Sequence, residues 1–261
     1  MLWNALGIAL REIHRNLMRG FLTVLGVVIG VAAVVIMVSL GQGATESVTS
    51  QVESLGSNLV MVIPGRGMGP AGGSAPGFRI SDVDAIAEGV AGIEAVAPVR
   101  ITGLNAVYLQ ENWSTQAVGT TVDYFSVAGW KFAEGRAFSE AEALGARSVC
   151  VLGATVVDEL FGQQEPLGAF IRLKSLSCEV VGVLESKGQG AMGQDQDSLV
   201  VLPLSTLQRR LAGRVGDRDV DRMMISVRDG VSADRVVRDS TEVLRERRGI
   251  QAGEDLSLIH I

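Results

Sequence analysis

Two histidines, two cysteines and 5 % aromatic residues leave this chain of 261 residues little material for chemistry. The histidines are His14, near the start, and His260, the penultimate residue. Nothing between them carries an imidazole, which argues against a Ser-His or Cys-His hydrolase. No Cys/His grouping has zinc-ligand spacing, so no metal site is expected. Cys150 and Cys178 are too few for a disulfide scaffold; one bridge in an oxidising compartment and two half-buried thiols both fit them. No GxxxxGK[ST] segment occurs, so the chain is expected to bind no ATP and no other cofactor of its own, and to be no enzyme. Net charge is −6. An acidic chain is a poor partner for nucleic acid, and none is expected.

What the chain does have starts with "FLTVLGVVIGVAAVVIMVSLGQG", residues 21–43, without one charged side chain. As a helix, residues 21–40 span about 30 Å, the thickness of a bilayer's hydrocarbon core. A core helix of a soluble domain would keep a polar face, and this run has none. A cleaved export signal has an apolar stretch of only about 7–15 residues, although Gly41 and Gly43 resemble a cleavage site. The reading is one uncleaved transmembrane helix. Arg11, Arg15 and Arg19 precede it against the single acid Glu12, and the first charge after it is Glu46. The positive-inside rule then puts the N-terminus in the cytoplasm and the bulk of the chain outside, in an inner or plasma membrane. The first 20 residues carry +2, which leaves −8 for the remainder.

Apolar spacing fills in the flanks. Trp3, Leu6, Leu10, Ile13 and Leu17 recur every three or four residues, opposite the three arginines. Residues 1–20 therefore read as an amphipathic helix lying on the lipid surface at the cytoplasmic side. Within the span, Gly26, Gly30 and Ala33 make a small-residue stripe of GxxxG type, where a second membrane helix can pack closely. "ATESVTSQVESLGSN", residues 44–58, keeps helical spacing at Val48, Val52 and Leu55 and reads as a stalk stopped by Gly56.

Beyond the stalk, "LVMVI" reads as a strand. "PGRGMGPAGGSAPG", residues 64–77, follows it, but Pro70 and Pro76 block a glycine turn opening into a helix, so a flexible exposed loop is expected. "ISDVDAIAEGV" reads as a helix with Ser81 as N-cap and Asp84 in its first turn. "IEAVAPVRI", "GLNAVYLQ" and "STQAVGTT" read as three strands. "RSVCVLG" and "CEVVGVLES" flank the helix "ATVVDELFG"; "SLVVLP" is a strand followed by the helix "LSTLQRRLAG". "VDRMMISVRDG" is a strand, and "VSADRVVRDSTEVLRERRG" an amphipathic helix ending at Gly249. "GQDQDS" places Asp195 and Asp197 in a glycine-rich loop without the further ligands of a calcium loop, so both read as solvated. Strands and helices alternate, and the exterior part is mixed α and β.

Several of these segments carry a family likeness. "RGFLTVLGVVIGVAAVVIMVSLGQGA" resembles the first span of the MacB/FtsX-like ABC transporter permeases, with its T-x-LG-x-x-IG core. "LGSNLVMVIPG" is similar to the family's first strand after the stalk. In "AVGTTVDYFSVAGWKFAEGRAFSEAE" the pair Tyr124-Phe125 precedes a G-R/N-x-F turn, as in that family. "VCVLGATVVDELFGQQEPLGAFIRL" and "VVGVLESKGQGAMGQDQDSLVVLPLSTLQRRL" resemble the rest of its exterior domain.

The resemblance implies an α+β chain. It has one transmembrane helix (21–43), a stalk (44–58), a porter-like β-α-β periplasmic subdomain (59–118 and 220–254) and an inserted α/β subdomain (119–219). It also implies a permease subunit that couples a cytoplasmic ABC ATPase, which binds the ATP, to substrate or partner handling outside. A second permease copy or a related permease, and a periplasmic adaptor protein, would be its partners. Family permeases continue through three further spans, whereas this sequence stops at "EDLSLIHI", so residues 255–261 read as a truncated end and the chain as an N-terminal fragment. A single-span anchored binding or scaffold module without any ATPase is the competing reading. Cargo is not legible, because one architecture serves many substrates.

Overall fold

No charge, proline or polar cluster interrupts the apolar run, and helix α1 passes through it from Leu17–Ser54 without a break. The computed structural model describes residues 17–54, 58–64, 77–190, 193–211, 220–248 and 258–260. The chain forms two compact units, Met1–Val52 and Glu53–Ile261. Thirty-eight residues make α1 about 57 Å long. Its segment Phe21–Ser39 is apolar enough to cross a bilayer, and none of it is buried within the protein. The expected stalk is thus the outer part of one helix as far as Ser54. Residues 1–16, with Arg11 and Arg15, and the stop at Gly56 lie outside the described residues, as does the loop over residues 65–76.

The second unit is built on β1 (Leu59–Val62), β2 (Ile93–Tyr108), β9 (Arg222–Val227) and β10 (Leu258–His260). They form an antiparallel four-stranded sheet in the order β10-β1-β9-β2. Helix α2 (Ile80–Gly89) connects β1 to β2, and α7 (Ala233–Arg248) connects β9 to β10. This is a split β-α-β arrangement. Because side chains alternate along a strand, each strand supplies both faces. Val60, Val62, Met223 and Ile225 point to one core with Val83 and Ile86 of α2 and Val236 and Leu244 of α7. Leu59, Ala97, Val99 and Met224 face the other way, into a different core.

Strand β2 is the hinge of the architecture in sequence terms. Sequence spacing suggests two strands here; the structure has one of 16 residues. Gly103 lies inside it without breaking the ladder, because Arg100 to Tyr108 pair continuously with β3 (Glu111–Thr120). Residues 93–99 pair with β9 instead. Past the switch the chain adds β4 (Phe132–Gly135), β5 (Val149–Leu152), β6 (Phe170–Leu173), β7 (Leu176–Leu184) and β8 (Leu199–Pro203). Pairing runs β2-β3-β8-β5-β7-β6 and returns to β2, which closes six strands into a barrel. Helix α5 (Ala154–Phe161) contributes Val156, Leu160 and Phe161 to the barrel core, and Tyr108 stacks on Phe161 at 4.1 Å.

Three further expectations need correction. Arg79, not Ser81, precedes the first turn of α2, and its backbone N–H donates to Asp82 at 3.0 Å; the acid of that turn is Asp82 rather than Asp84. The segment "LSTLQRRLAG" makes only a single turn, α6 (Leu204–Thr206), running into a wide π turn at Leu207–Leu211. Leu207 is fully buried against the β3 backbone at Gly119, and a Cβ there would lie 2.9 Å from it, so packing dictates the local winding. Cys150 and Cys178 are free and fully buried, not half-buried, because both occupy inward positions of the barrel strands.

Candidate functional site: membrane anchor and barrel junction

Helix α1 presents its apolar side chains outward on every side, and Gly26, Gly30 and Ala33 line up along it at the spacings i, i+4 and i+7. A Cβ built on Gly26 or Gly30 meets nothing within 4 Å, so both glycines are open to another helix. Arg19 belongs to α1. The stripe and Arg19 therefore lie on one element, while Arg11 and Arg15 fall outside the described residues.

Among the described residues of the exterior unit, no three His, Cys, Asp or Glu side chains gather as a metal site would require. A cleft beside β4 and the loop after α5 has a volume of about 260 Å³ and is lined by Ala133, Glu134, Val157, Glu165 and Val183. It is smaller than the pockets of about 300–1,000 Å³ that enclose drug-sized ligands. What the unit does concentrate is aromatic and charged side chains at the junction of sheet and barrel.

Helix α3 (Asp123–Val127) lies there, packed against β2 and β9. Its Tyr124 and Phe125, the pair noted in sequence, are both buried. The Phe125 ring lies 5.1 Å from Phe132, 5.4 Å from Phe138 and 5.9 Å from Tyr124, within the range of favourable ring pairs. Burial raises the Tyr124 hydroxyl above its ordinary range, opposed in part by the hydrogen bond it accepts from Trp130. The Trp130 backbone N–H donates to the Phe125 carbonyl at 2.8 Å and closes the turn after α3.

Lys187 reaches this turn from the end of β7. Its Nζ donates to the Ala128 carbonyl at 2.6 Å and sits 4.2 Å from the centre of the Trp130 ring. Burial holds the ammonium below its ordinary pKa, and nearby Asp197 works against that shift. Asp197 is not solvated, as its loop composition suggested, but 3 % exposed. It accepts from Ser186 Oγ at 2.5 Å and from the backbone N–H groups of Lys187 and Gly188 at 2.8 Å, while its own N–H donates to Asp195. Three donors satisfy the carboxylate, which is what lets a charge stay buried. Sequence reasoning missed Lys187 and Trp130, since neither belongs to a local pattern, and it read Asp197 as solvated.

Two ion-pair clamps complete the picture. Arg136 grips Glu142 with both Nη atoms at 2.9 Å, and this bond, opposed by burial but helped by donors from Ser139, leaves Glu142 titrating at about 2. Asp82 of α2 pairs with Arg247 at 3.6 Å and Arg248 at 3.3 Å of α7, and Arg248 also covers the Phe78 ring at 4.4 Å. These contacts bind elements together.

Comparison with known proteins gives this arrangement its context. A family model described as the MacB-like periplasmic core domain matches residues 21–243. The macrolide export ATP-binding/permease protein MacB of Syntrophobacter fumaroxidans is 35 % identical over 210 residues, which cover 78 % of this chain and 29 % of that protein. Its namesake in Rhodospirillum rubrum is 36 % identical over 248 residues, 94 % of this chain and 37 % of that one. The chain thus spans about a third of the length of these curated relatives. In fold it is similar to the periplasmic region of MacB from Actinobacillus actinomycetemcomitans, with a TM-score of 0.65 at 21 % identity over 80 % of this chain and 90 % of that one. The extracellular domain of the noncanonic ABC-type transporter YknZ from Gram-positive bacteria aligns with a TM-score of 0.60 at 19 % identity, covering 77 % of this chain and 100 % of that one.

Proposed function

The chain belongs to the MacB-like periplasmic core domain family of ABC transporter permeases, and from that premise we propose that it forms the membrane-anchored front part of an ATP-driven export system. In this reading Phe21–Ser39 crosses the inner membrane with the arginine flank in the cytoplasm. ATP is hydrolysed by an ATPase outside these 261 residues. The exterior unit hands the resulting motion to a substrate or a partner protein such as a periplasmic adaptor. Within that unit we assign the four-stranded sheet with α2 and α7 to a porter-like frame and the barrel to an insert. The strand partners change at residues 99–100 on the way out, and on the way back the chain has rejoined the sheet side by Val220, bridged to Phe78. The boundary expected from sequence, between residues 118 and 119, falls inside β3. Gly26, Gly30 and Ala33 would pack against another span, of this permease or of a second copy.

One observation carries the mechanical reading. Helix α1 continues for 15 residues past the apolar segment, and residues 55–58 alone separate it from β1. Fifteen residues of helix are a stiff rod of about 22 Å. A rod transmits displacement, and a flexible tether does not. In the full-length transporter, a Gly-Ser segment inserted after Gly43 is expected to abolish export while the exterior unit still folds and ATP is still hydrolysed. Export that survives the insertion rejects rigid coupling, though not family membership.

A further inference from the structure

Sheet and barrel are joined where β2 changes partners at residues 99–100 and where the chain returns to the sheet before Val220, which bridges to Phe78. Units connected this way ordinarily shift relative to each other unless their interface is large and apolar. Here the interface is a core of its own. Leu59, Ala97, Val99 and Met224 of the sheet meet Tyr124, Phe125, Val149, Val151 and Val201 on the barrel side, all of them buried. The barrel strands alternate for this purpose: Cys150 and Leu152 fill the barrel, while Val149 and Val151 of the same strand face the junction.

The crossing within β2 is also pinned by hydrogen bonds. Asp221 donates its N–H to the Val99 carbonyl at 2.9 Å and accepts the Ile101 N–H on Oδ2 at 2.7 Å. One residue thus bridges the point where β2 changes partners. Thr120 Oγ1, fully buried at the end of β3, donates to the Pro98 carbonyl at 2.7 Å. From α3 the contacts continue outward through Trp130 to Lys187 and so to the loop closed on Asp197.

We propose that α3 with Phe125 at its centre is a keystone that locks the barrel onto the four-stranded sheet, so that the exterior unit moves as one rigid body out to the Asp197 loop. The inference deepens the mechanical reading above and rests on it for its use: a displacement delivered to β1 reaches the barrel undiminished instead of being absorbed at the two crossings. The rigidity itself is a property of the isolated chain and is measured without any ATPase, so its failure and the failure of the permease reading are distinguishable.

The test places spin labels on exposed Arg238→Cys of α7 and exposed Glu159→Cys of α5 in the full chain, the native cysteines being shielded by complete burial. The wild-type background is expected to give one narrow distance distribution. Phe125→Ala is expected to lose that single peak and broaden it. Phe161→Ala removes a ring of equal size from the barrel interior, away from the junction, and is expected to keep the peak narrow. Should either alanine variant fail to fold, Phe125→Leu and Phe161→Leu give the same comparison. A distribution that is already broad in the wild-type background, one that stays narrow after the Phe125 substitution, or equal broadening by both substitutions overturns the keystone.

Discussion

At Glu142 four donors converge on one carboxylate: both Nη atoms of Arg136, and the N–H and hydroxyl of Ser139. Ser139 is the N-cap of α4 (Glu140–Leu144) and Glu142 its third residue, the reciprocal capping box that such a pair makes. Each donor favours the charged form, which is why the group titrates at about 2 instead of its ordinary 4.5. The sign of the pH effect follows. A carboxylate whose folded value is depressed adds stability that is complete above the unfolded value and fades as pH falls through the folded one. Wild type is therefore expected to be more stable than Glu142→Gln at pH 7, by a margin that holds down to about pH 4.5 and disappears toward pH 2. Urea midpoints of both proteins across that range check it. A margin that does not change with pH means that shape alone, and not charge, holds the cap. Asp197 shows the other use of a carboxylate, as the buried hub of a loop that composition alone describes as solvated.

Among elements, α1 makes the clearest demand on its surroundings. Residues 21–39 expose Val, Leu, Ile and Phe all round, which water does not tolerate over such a length but a bilayer does. In lipid the apolar side chains supply no preference for one helix face over another, so close packing decides. Gly30→Leu is expected to weaken association of this helix with a second span in a membrane association assay, whereas Val28→Leu, on a different face, is expected to leave it unchanged. Equal results for the two variants remove the stripe from the interface. Helix α7 makes the opposite case, since it is amphipathic and already satisfied: Val236 and Leu244 are buried on the sheet, and Arg247 and Arg248 hold Asp82 of α2.

For the whole molecule, orientation is the property on which the functional reading hangs. In the orientation proposed on the positive-inside rule, the N-terminus lies inside and the acidic unit after the span outside. Impermeant thiol labelling of intact cells is expected to modify Ser47→Cys and to spare Asn4→Cys until the membrane is opened. Labelling of Asn4→Cys in sealed cells reverses the topology and with it the site of action of the exterior unit. The fold itself sets one more property at this scale. Among the described side chains, β1, β9 and the first half of β2 are covered on one face by α2 and α7 and on the other by the junction core.

By itself the sequence determined the membrane helix, its continuation toward Ser54, the mixed α/β character of the rest and the amphipathic helix α7. Each of these is a local pattern: an uncharged run, a period of 3.6, or a string of β-formers between turns. The family likeness extended to Tyr124 and Phe125 as a pair but said nothing of what they touch. Tertiary structure alone decided that two expected strands are one, because the continuity of β2 is enforced by partners more than 100 residues away at β9 and only a turn away at β3. It alone buried Asp197, because the donors that offset the cost of burying its charge arrive from residues 186–188 across a folded loop. It also joined Lys187 to Ala128 and Trp130, 59 and 57 residues earlier in the chain, through a carbonyl and a ring that no local pattern links to a lysine. Periodicity reports which face of an element is buried, and only the packing of elements reports against what.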